Sequence, residues 1–246
     1  MTIHFIGAGP GSPDLITLRA QALIAASPIC LYAGSLVPRD VLAHCPPGAK
    51  LVDTADLTLD QIVAELIAAA DRGQDVARLC SGDPAVFSAM AEQMRRLDDA
   101  GADYDVTPGV SAFAAAAAVL NRELTVPGVG QTVILTRISN EATPMPDRER
   151  LASLGSIGAT LVLHLAIQHL DRIVVDLIPH YGEDCPVAVV AFVSRPDQIV
   201  LRGSLSDIAD QVRTAGIRRT AVIIVGRVLG ARGFCDSHLY SLARAR

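Results

Sequence analysis

Short apolar runs alternate with longer amphipathic ones along the first half of the chain, and this alternation restricts the fold more than any other feature. Ile3–Ile6, Ile29–Tyr32, Leu51–Asp53, Val76–Cys80 and Tyr104–Thr107 read as strands; Leu15–Ala26, Leu59–Arg72 and Val86–Ala100 read as helices. Strands alternating with helices predict a mainly parallel sheet covered on both faces. The clearest helix carries Leu59, Ile62, Val63, Leu66 and Ile67 at helical spacing, with Gly73 where a C-terminal cap belongs.

The second half changes character. Its predicted strands are Thr132–Thr136, Thr160–His164, Val187–Val193, Gln198–Gly203 and Ala221–Val225. Ser194-Arg195-Pro196-Asp197 reads as a hairpin turn between two of them, which makes this sheet mixed. Helices are predicted at Asp147–Ser153, Ile167–Leu177 and Leu205–Ala215, the last capped by Ser204 or Ser206. The junction falls near Pro108 to Gly130, where Pro108-Gly109, an alanine-rich helix and Pro127-Gly128-Val129-Gly130 follow one another. The expectation is an α/β chain of two α/β domains, 1–112 and 113–246. The first sheet is mainly parallel and the second mixed, with a ligand cleft between the domains.

The turn after the first strand, Gly7-Ala8-Gly9-Pro10-Gly11-Ser12, invites a dinucleotide reading and then fails it. The G-x-G-x-x-G pattern needs a glycine where Ser12 stands, and Pro10 has no N–H to offer a pyrophosphate. No acidic residue ends the run Ile29–Tyr32, where a ribose-binding carboxylate belongs. The loop is therefore a structural turn or is built for something other than NAD.

A net charge of -5 argues against non-specific nucleic-acid binding, which needs a basic face. Lys50 is the only lysine among 21 basic residues; genome composition accounts for that, and so would a carboxylate-rich ligand suited to arginine's fork. Five scattered cysteines without a C-x-x-C pair suit a reducing cytosol and speak against a disulfide frame or structural zinc. No signal peptide is read, and the longest apolar run, Ala112–Leu120, is too short to span a membrane. A soluble cytoplasmic protein is expected. His164 and His169 lack the i, i+4 spacing of a helical metal pair, so no metal is expected.

Two further turns follow strands. Cys80-Ser81-Gly82-Asp83-Pro84-Ala85-Val86-Phe87-Ser88 combines a glycine that permits close approach with an Asp-Pro that turns the chain and then starts a helix. Thr107-Pro108-Gly109-Val110-Ser111-Ala112 leads into the alanine-rich helix, with Ser111 placed to cap it or to bind a ligand. In a parallel sheet the turns after the first, fourth and fifth strands converge on one rim, where ligands of open α/β sheets bind.

Taken in order, Phe5-Ile6-Gly7-Ala8-Gly9-Pro10-Gly11 with Leu15-Ile16-Thr17, Ser81-Gly82-Asp83-Pro84 and Pro108-Gly109-Val110-Ser111 resemble the class III tetrapyrrole methyltransferases. The likeness continues through His164-Leu165, Pro186–Val190, Ser194–Gln198 and Ile224-Val225-Gly226. Leu31-Tyr32-Ala33-Gly34-Ser35-Leu36-Val37, and Thr136-Arg137 followed by Thr143-Pro144-Met145-Pro146, resemble the branch that methylates precorrin-4 at carbon 11. The uroporphyrinogen III branch usually carries Tyr-Asp-Arg-Leu-Val at the first of these places, and its aspartate and arginine are missing here.

The resemblance implies S-adenosylmethionine as methyl donor, S-adenosylhomocysteine as product, a tetrapyrrole substrate in cobalamin biosynthesis, and a homodimer. It implies cofactor contacts at Pro10, Gly82, Asp83, Pro84, Val86, Phe87, Ser111, Ala112, Leu165, Ala191, Thr220 and Ala221. Relatives often carry methionine where Leu165 stands. The substrate's carboxylates would meet Arg39 and Arg137, with Asp14, Tyr32 and Ser35 along the trough. Methyl transfer to an enamine-like ring carbon is an in-line displacement that asks mainly for alignment, so no catalytic triad is required and no general base is named. Asp14 and Asp83 are the acids within reach, though aspartate in a turn more often holds the turn. The rival readings are a uroporphyrinogen III or cobalt-precorrin-4 methyltransferase, an NAD-dependent oxidoreductase and a non-catalytic tetrapyrrole carrier.

Overall fold

A computed structural model describes residues 1–139 and 144–237. Thr143, at the start of the Thr143–Pro146 stretch, lies outside the described residues. The chain divides into two compact units, Met1–Ala115 and Ala116–Arg246.

The first unit runs β1 (Ile3–Gly7), α1 (Leu18–Ala26), β2 (Ile29–Tyr32), β3 (Lys50–Asp53), α2 (Leu59–Asp71), β4 (Val76–Cys80), α3 (Met90–Asp99) and β5 (Tyr104–Thr107). Its five strands are all parallel, in the order β3-β2-β4-β1-β5. Both faces are covered. Ile3, Phe5, Leu31, Val76 and Cys80 pack with Leu66 of α2 and Leu97 of α3, while Ile6, Cys30, Ala77 and Leu79 pack with Ile24 of α1. Each valine, leucine, isoleucine or phenylalanine among them, fully buried, contributes about 1.5–3 kcal/mol. The Phe5 and Tyr104 rings meet edge to face at 6.0 Å.

The helix ends follow local chemistry. Thr58 and Gln61 form a complete capping box at the start of α2. At its other end Gly73 N–H donates to the Ala70 carbonyl and Gln74 N–H to that of Ala69, a Schellman closure. Two expected starts are corrected. The first helix begins at Leu18, not Leu15, because Thr17 caps it by accepting from Ala20 N–H at 3.1 Å after a separate 3-10 turn, Pro13–Leu15. The third begins at Met90, not Val86, so Asp83-Pro84 starts a turn and no helix. Phe87 and Ala89 both have φ of +53°, which a right-handed helix cannot contain.

α4 (Ala112–Leu120) spans the boundary between the units. The second unit continues with β6 (Val133–Thr136), α5 (Leu151–Gly155), β7 (Thr160–Leu163), α6 (Leu170–Tyr181), β8 (Pro186–Ala191), β9 (Ile199–Ser204), α7 (Ile208–Thr214) and β10 (Ala221–Val225). Its strand order is β6-β7-β10-β8-β9, and only β6 and β7 pair in parallel. The expected hairpin is β8–β9. Its first strand stops at Ala191 because Phe192 turns to φ +50°. Short 3-10 turns, Asp147–Glu149 and Ile167–His169, replace the first turn of two expected helices, and the second helix then runs on to Tyr181 through Pro179. The last helix starts after Asp207 and neither serine caps it; the Asp207 carboxylate accepts from Ser204 N–H, at the end of β9, at 2.7 Å. Among the described residues no helix is long and apolar enough to cross a membrane.

Candidate functional site

Strands β4, β1 and β5 lie side by side, so the turns leaving their carboxyl ends share one rim, as expected. The turns are hydrogen-bonded to one another. Ala8 N–H donates to the Cys80 carbonyl at 2.8 Å, and Gly9 and Gly82 exchange bonds of 3.2 and 2.8 Å. A Cβ on Gly7 would lie 2.4 Å from the Gly109 Cα, and one on Gly109 would lie 2.2 Å from the Gly82 carbonyl oxygen. Glycine is thus required for backbone to touch backbone across three turns. This use of the glycine loop is unrelated to phosphate recognition.

Asp83 completes the arrangement. One carboxylate oxygen accepts from Ala85 N–H at 2.8 Å within its own turn, and the other accepts from Gly109 N–H at 2.9 Å in the turn after β5. Gly82, Pro84 and Pro10 are buried, Val86 is half-buried, and the Phe87 side chain is exposed. Ser88 Oγ donates to the Pro84 carbonyl and closes the turn. The Ser111 carbonyl accepts from Ala114 and Ala115 N–H, which puts Ser111 at the start of α4 with Ala112 as its first residue. All eight expected cofactor contacts of the first unit therefore belong to these three turns.

Of the expected substrate residues of this unit, three lie at or beyond the end of β2, the neighbour of β4, and the fourth follows β1. Tyr32 ends β2, and its carbonyl accepts from Thr54 N–H at 2.8 Å and from Thr54 Oγ1 at 3.2 Å. Ser35 is exposed in the following turn, and Arg39 opens a 3-10 turn, Arg39–His44. Asp14 is exposed after β1, its carboxylate accepting from Ser12 Oγ. Asp53, read from sequence only as a strand end, holds the Ser35 turn: its Oδ1 accepts from Gly34 and Ala55 N–H, both at 2.9 Å. Those two N–H groups, Gly34 foremost, with the Arg39 guanidinium nearby, keep its carboxyl below the usual carboxylate range. An acid closing one strand opposite a glycine after its neighbour was the available signal.

The remaining five residues lie at one end of the second sheet. The register pairs Ala191 with Ala221, Leu163 with Ile223, and Thr136 with Leu163. Arg137 and Leu165 just beyond β6 and β7, Ala191 ending β8, and Thr220-Ala221 opening β10 therefore share an edge. Leu165, Phe192 and Thr220 all have left-handed φ, of +53°, +50° and +54°. Non-glycine residues held so are strained, and such strain gathers at ligand sites. Leu165 is also 67% exposed, a large apolar side chain presented to solvent. Phe192 belongs to this edge and was missed, since nothing in sequence marks a left-handed phenylalanine. Burial pushes the neighbouring His164 below its ordinary value. The Arg137 guanidinium donates to the carbonyls of Ile138 and Pro144, at 3.1 and 3.5 Å, and borders a cavity of about 590 Å³ with Met145, Leu151 and Ile173 on its wall.

The model of the Tetrapyrrole (Corrin/Porphyrin) Methylases matches residues 2–209. The chain is a tetrapyrrole methylase. The methylase is 65% identical over 246 residues to a precorrin-4 C(11)-methyltransferase of Rhodococcus erythropolis, spanning 100% of this chain and 99% of that one. Its fold superimposes with a TM-score of 0.90, at 39% identity, on a cobalt precorrin-4 methyltransferase described as a cobalamin biosynthetic enzyme, covering 93% of this chain and 95% of that one. A uroporphyrin-III C-methyl transferase from Thermus thermophilus, complexed with S-adenyl homocysteine, gives a TM-score of 0.78 at 27% identity, over 94% and 99% of the two chains.

Proposed function

We propose that this methylase transfers a methyl group from S-adenosylmethionine to carbon 11 of precorrin-4, giving precorrin-5 in cobalamin biosynthesis. The observation that carries the reading is the 65% identity, end to end, with a precorrin-4 C(11)-methyltransferase. Cobalt-precorrin-4 is the second reading, favoured by the TM-score of 0.90 to an enzyme of that name.

The residues fit the donor. In the first unit the exposed Phe87 and the bent main chain around Asp83, and in the second the exposed Leu165 and the bent main chain around Phe192 and Thr220, each pair apolar surface with polar backbone groups, as an amphipathic nucleoside asks. The contacts we assign are Pro10, Gly82, Asp83, Pro84, Val86, Phe87, Ser111, Ala112, Leu165, Ala191, Thr220 and Ala221. Bound there, S-adenosylmethionine supplies a methyl group already activated on a sulfonium sulfur. The chain's own work is alignment and exclusion of water. Asp83 locks two turns into one surface. Arg39 and Arg137 take substrate carboxylates through forked hydrogen bonds, beside Asp14, Tyr32 and Ser35. We further infer a cytoplasmic homodimer. Five free thiols support the compartment, and the family resemblance supports the dimer.

Calorimetric titration of S-adenosylhomocysteine tests the site. Micromolar binding by the native chain, weakened at least about tenfold in Asp83→Ala, is expected from the loss of two charge-assisted bonds. Equal affinity in both proteins would move the site away from this turn.

A further inference from the structure

Arg78, in the middle of β4, is 6% exposed. Its Nε donates to Gln93 Oε1 at 3.0 Å, and its Nη1 to Thr54 Oγ1 at 3.5 Å and to the Leu79 carbonyl at 3.3 Å. These acceptors are all neutral. A buried cation held by neutral groups gives up its hydration without the return of an ion pair. Replacing buried charged groups with apolar side chains of similar volume is often neutral or stabilising, so stability alone does not explain its presence.

Its two ends lead to different places. Gln93, itself 2% exposed, donates from Nε2 to the Ala89 carbonyl at 3.0 Å, where the turn Ser81–Ser88 joins α3. Thr54 donates from Oγ1 and N to the Tyr32 carbonyl, where the turn bearing Ser35 leaves β2. The planar fork is suited to this, because it fixes two donors at once in different directions.

We propose that Arg78 is a positioning residue for methyl transfer. It holds the cofactor turn through Gln93 and the substrate turn through Thr54, and so sets one against the other. The inference rests on the methyltransferase reading and adds to it a buried residue that touches neither ligand.

The test uses the full chain and three variants: Gln93→Met, Thr54→Val and Arg78→Met. Gln93→Met is expected to weaken S-adenosylhomocysteine roughly tenfold with the precorrin-4 KM within about twofold of native; Thr54→Val is expected to do the reverse; Arg78→Met moves both. Hydrogen exchange on the ligand-free protein reads the same division: faster exchange over 84–89 in the first variant, over 33–37 in the second, and over both in the third. Lower melting temperatures with native constants and native local exchange, or both single-arm variants shifting the two constants alike, would overturn the inference. Should Arg78→Met fail to fold, the other two still decide it. A native protein that bound no S-adenosylhomocysteine would sink the methyltransferase reading, while the exchange pattern would still decide the role of Arg78.

Discussion

His164 follows β7, half-buried beside the exposed Leu165, and burial lowers its pKa from the ordinary 6.5. The folded chain therefore keeps it neutral over a range in which the unfolded chain protonates it. Below about pH 6.5 the unfolded state takes up more protons, so stability falls as pH falls; above that value the contribution is flat. Urea midpoints measured between about pH 5 and pH 7.5 should drop on the acid side in the native chain and drop less in His164→Gln. The same slope in both proteins would show that His164 contributes nothing to it. Asp83 shows another limit at this scale. Its sequence setting, Gly-Asp-Pro after a strand, is readable as a turn, and that aspartate would hold the turn was foreseeable. Its second bond, to Gly109 across 26 residues, is tertiary and leaves no local trace.

At the level of elements, sequence patterns located strands better than helix starts. Apolar runs bounded by glycine and proline gave the five parallel strands nearly residue for residue, and Ser194–Asp197 gave the hairpin. The helices at Leu15, Val86 and Leu205 were read too early, each for a local reason: a better cap at Thr17, left-handed backbone at Phe87 and Ala89, and the Asp207 carboxylate folding back on Ser204. Propensity is silent about left-handed conformations in non-glycine residues, because the surrounding structure imposes them. The same silence concealed Phe192. Where caps were correctly read they carry measurable energy. Thr58→Ala removes half of the α2 capping box and should cost about 1 kcal/mol. Thermal unfolding should show it as a melting point lower by a few degrees, with S-adenosylhomocysteine affinity retained. An unchanged melting point would mean that the box adds nothing to what the packing of α2 already supplies.

Across the whole molecule, the ordered motifs were legible because each is a turn whose glycine, proline or aspartate has a backbone duty. Three of them meet at one rim of the first sheet, and four cofactor contacts and Arg137 gather at one end of the second. The substrate arginines were a chemical guess from residue type, and the buried Arg78 that links two turns was invisible, since a strand arginine usually reads as exposed. The proposed reaction turns on the position of one carbon. Precorrin-4 incubated with the native chain and S-adenosylmethionine carrying a 13C methyl should give a single labelled product, one methyl heavier, with the label bonded to carbon 11 by carbon-13 NMR. Label at another ring position, or transfer to uroporphyrinogen III or cobalt-precorrin-4 in preference to precorrin-4, would contradict it.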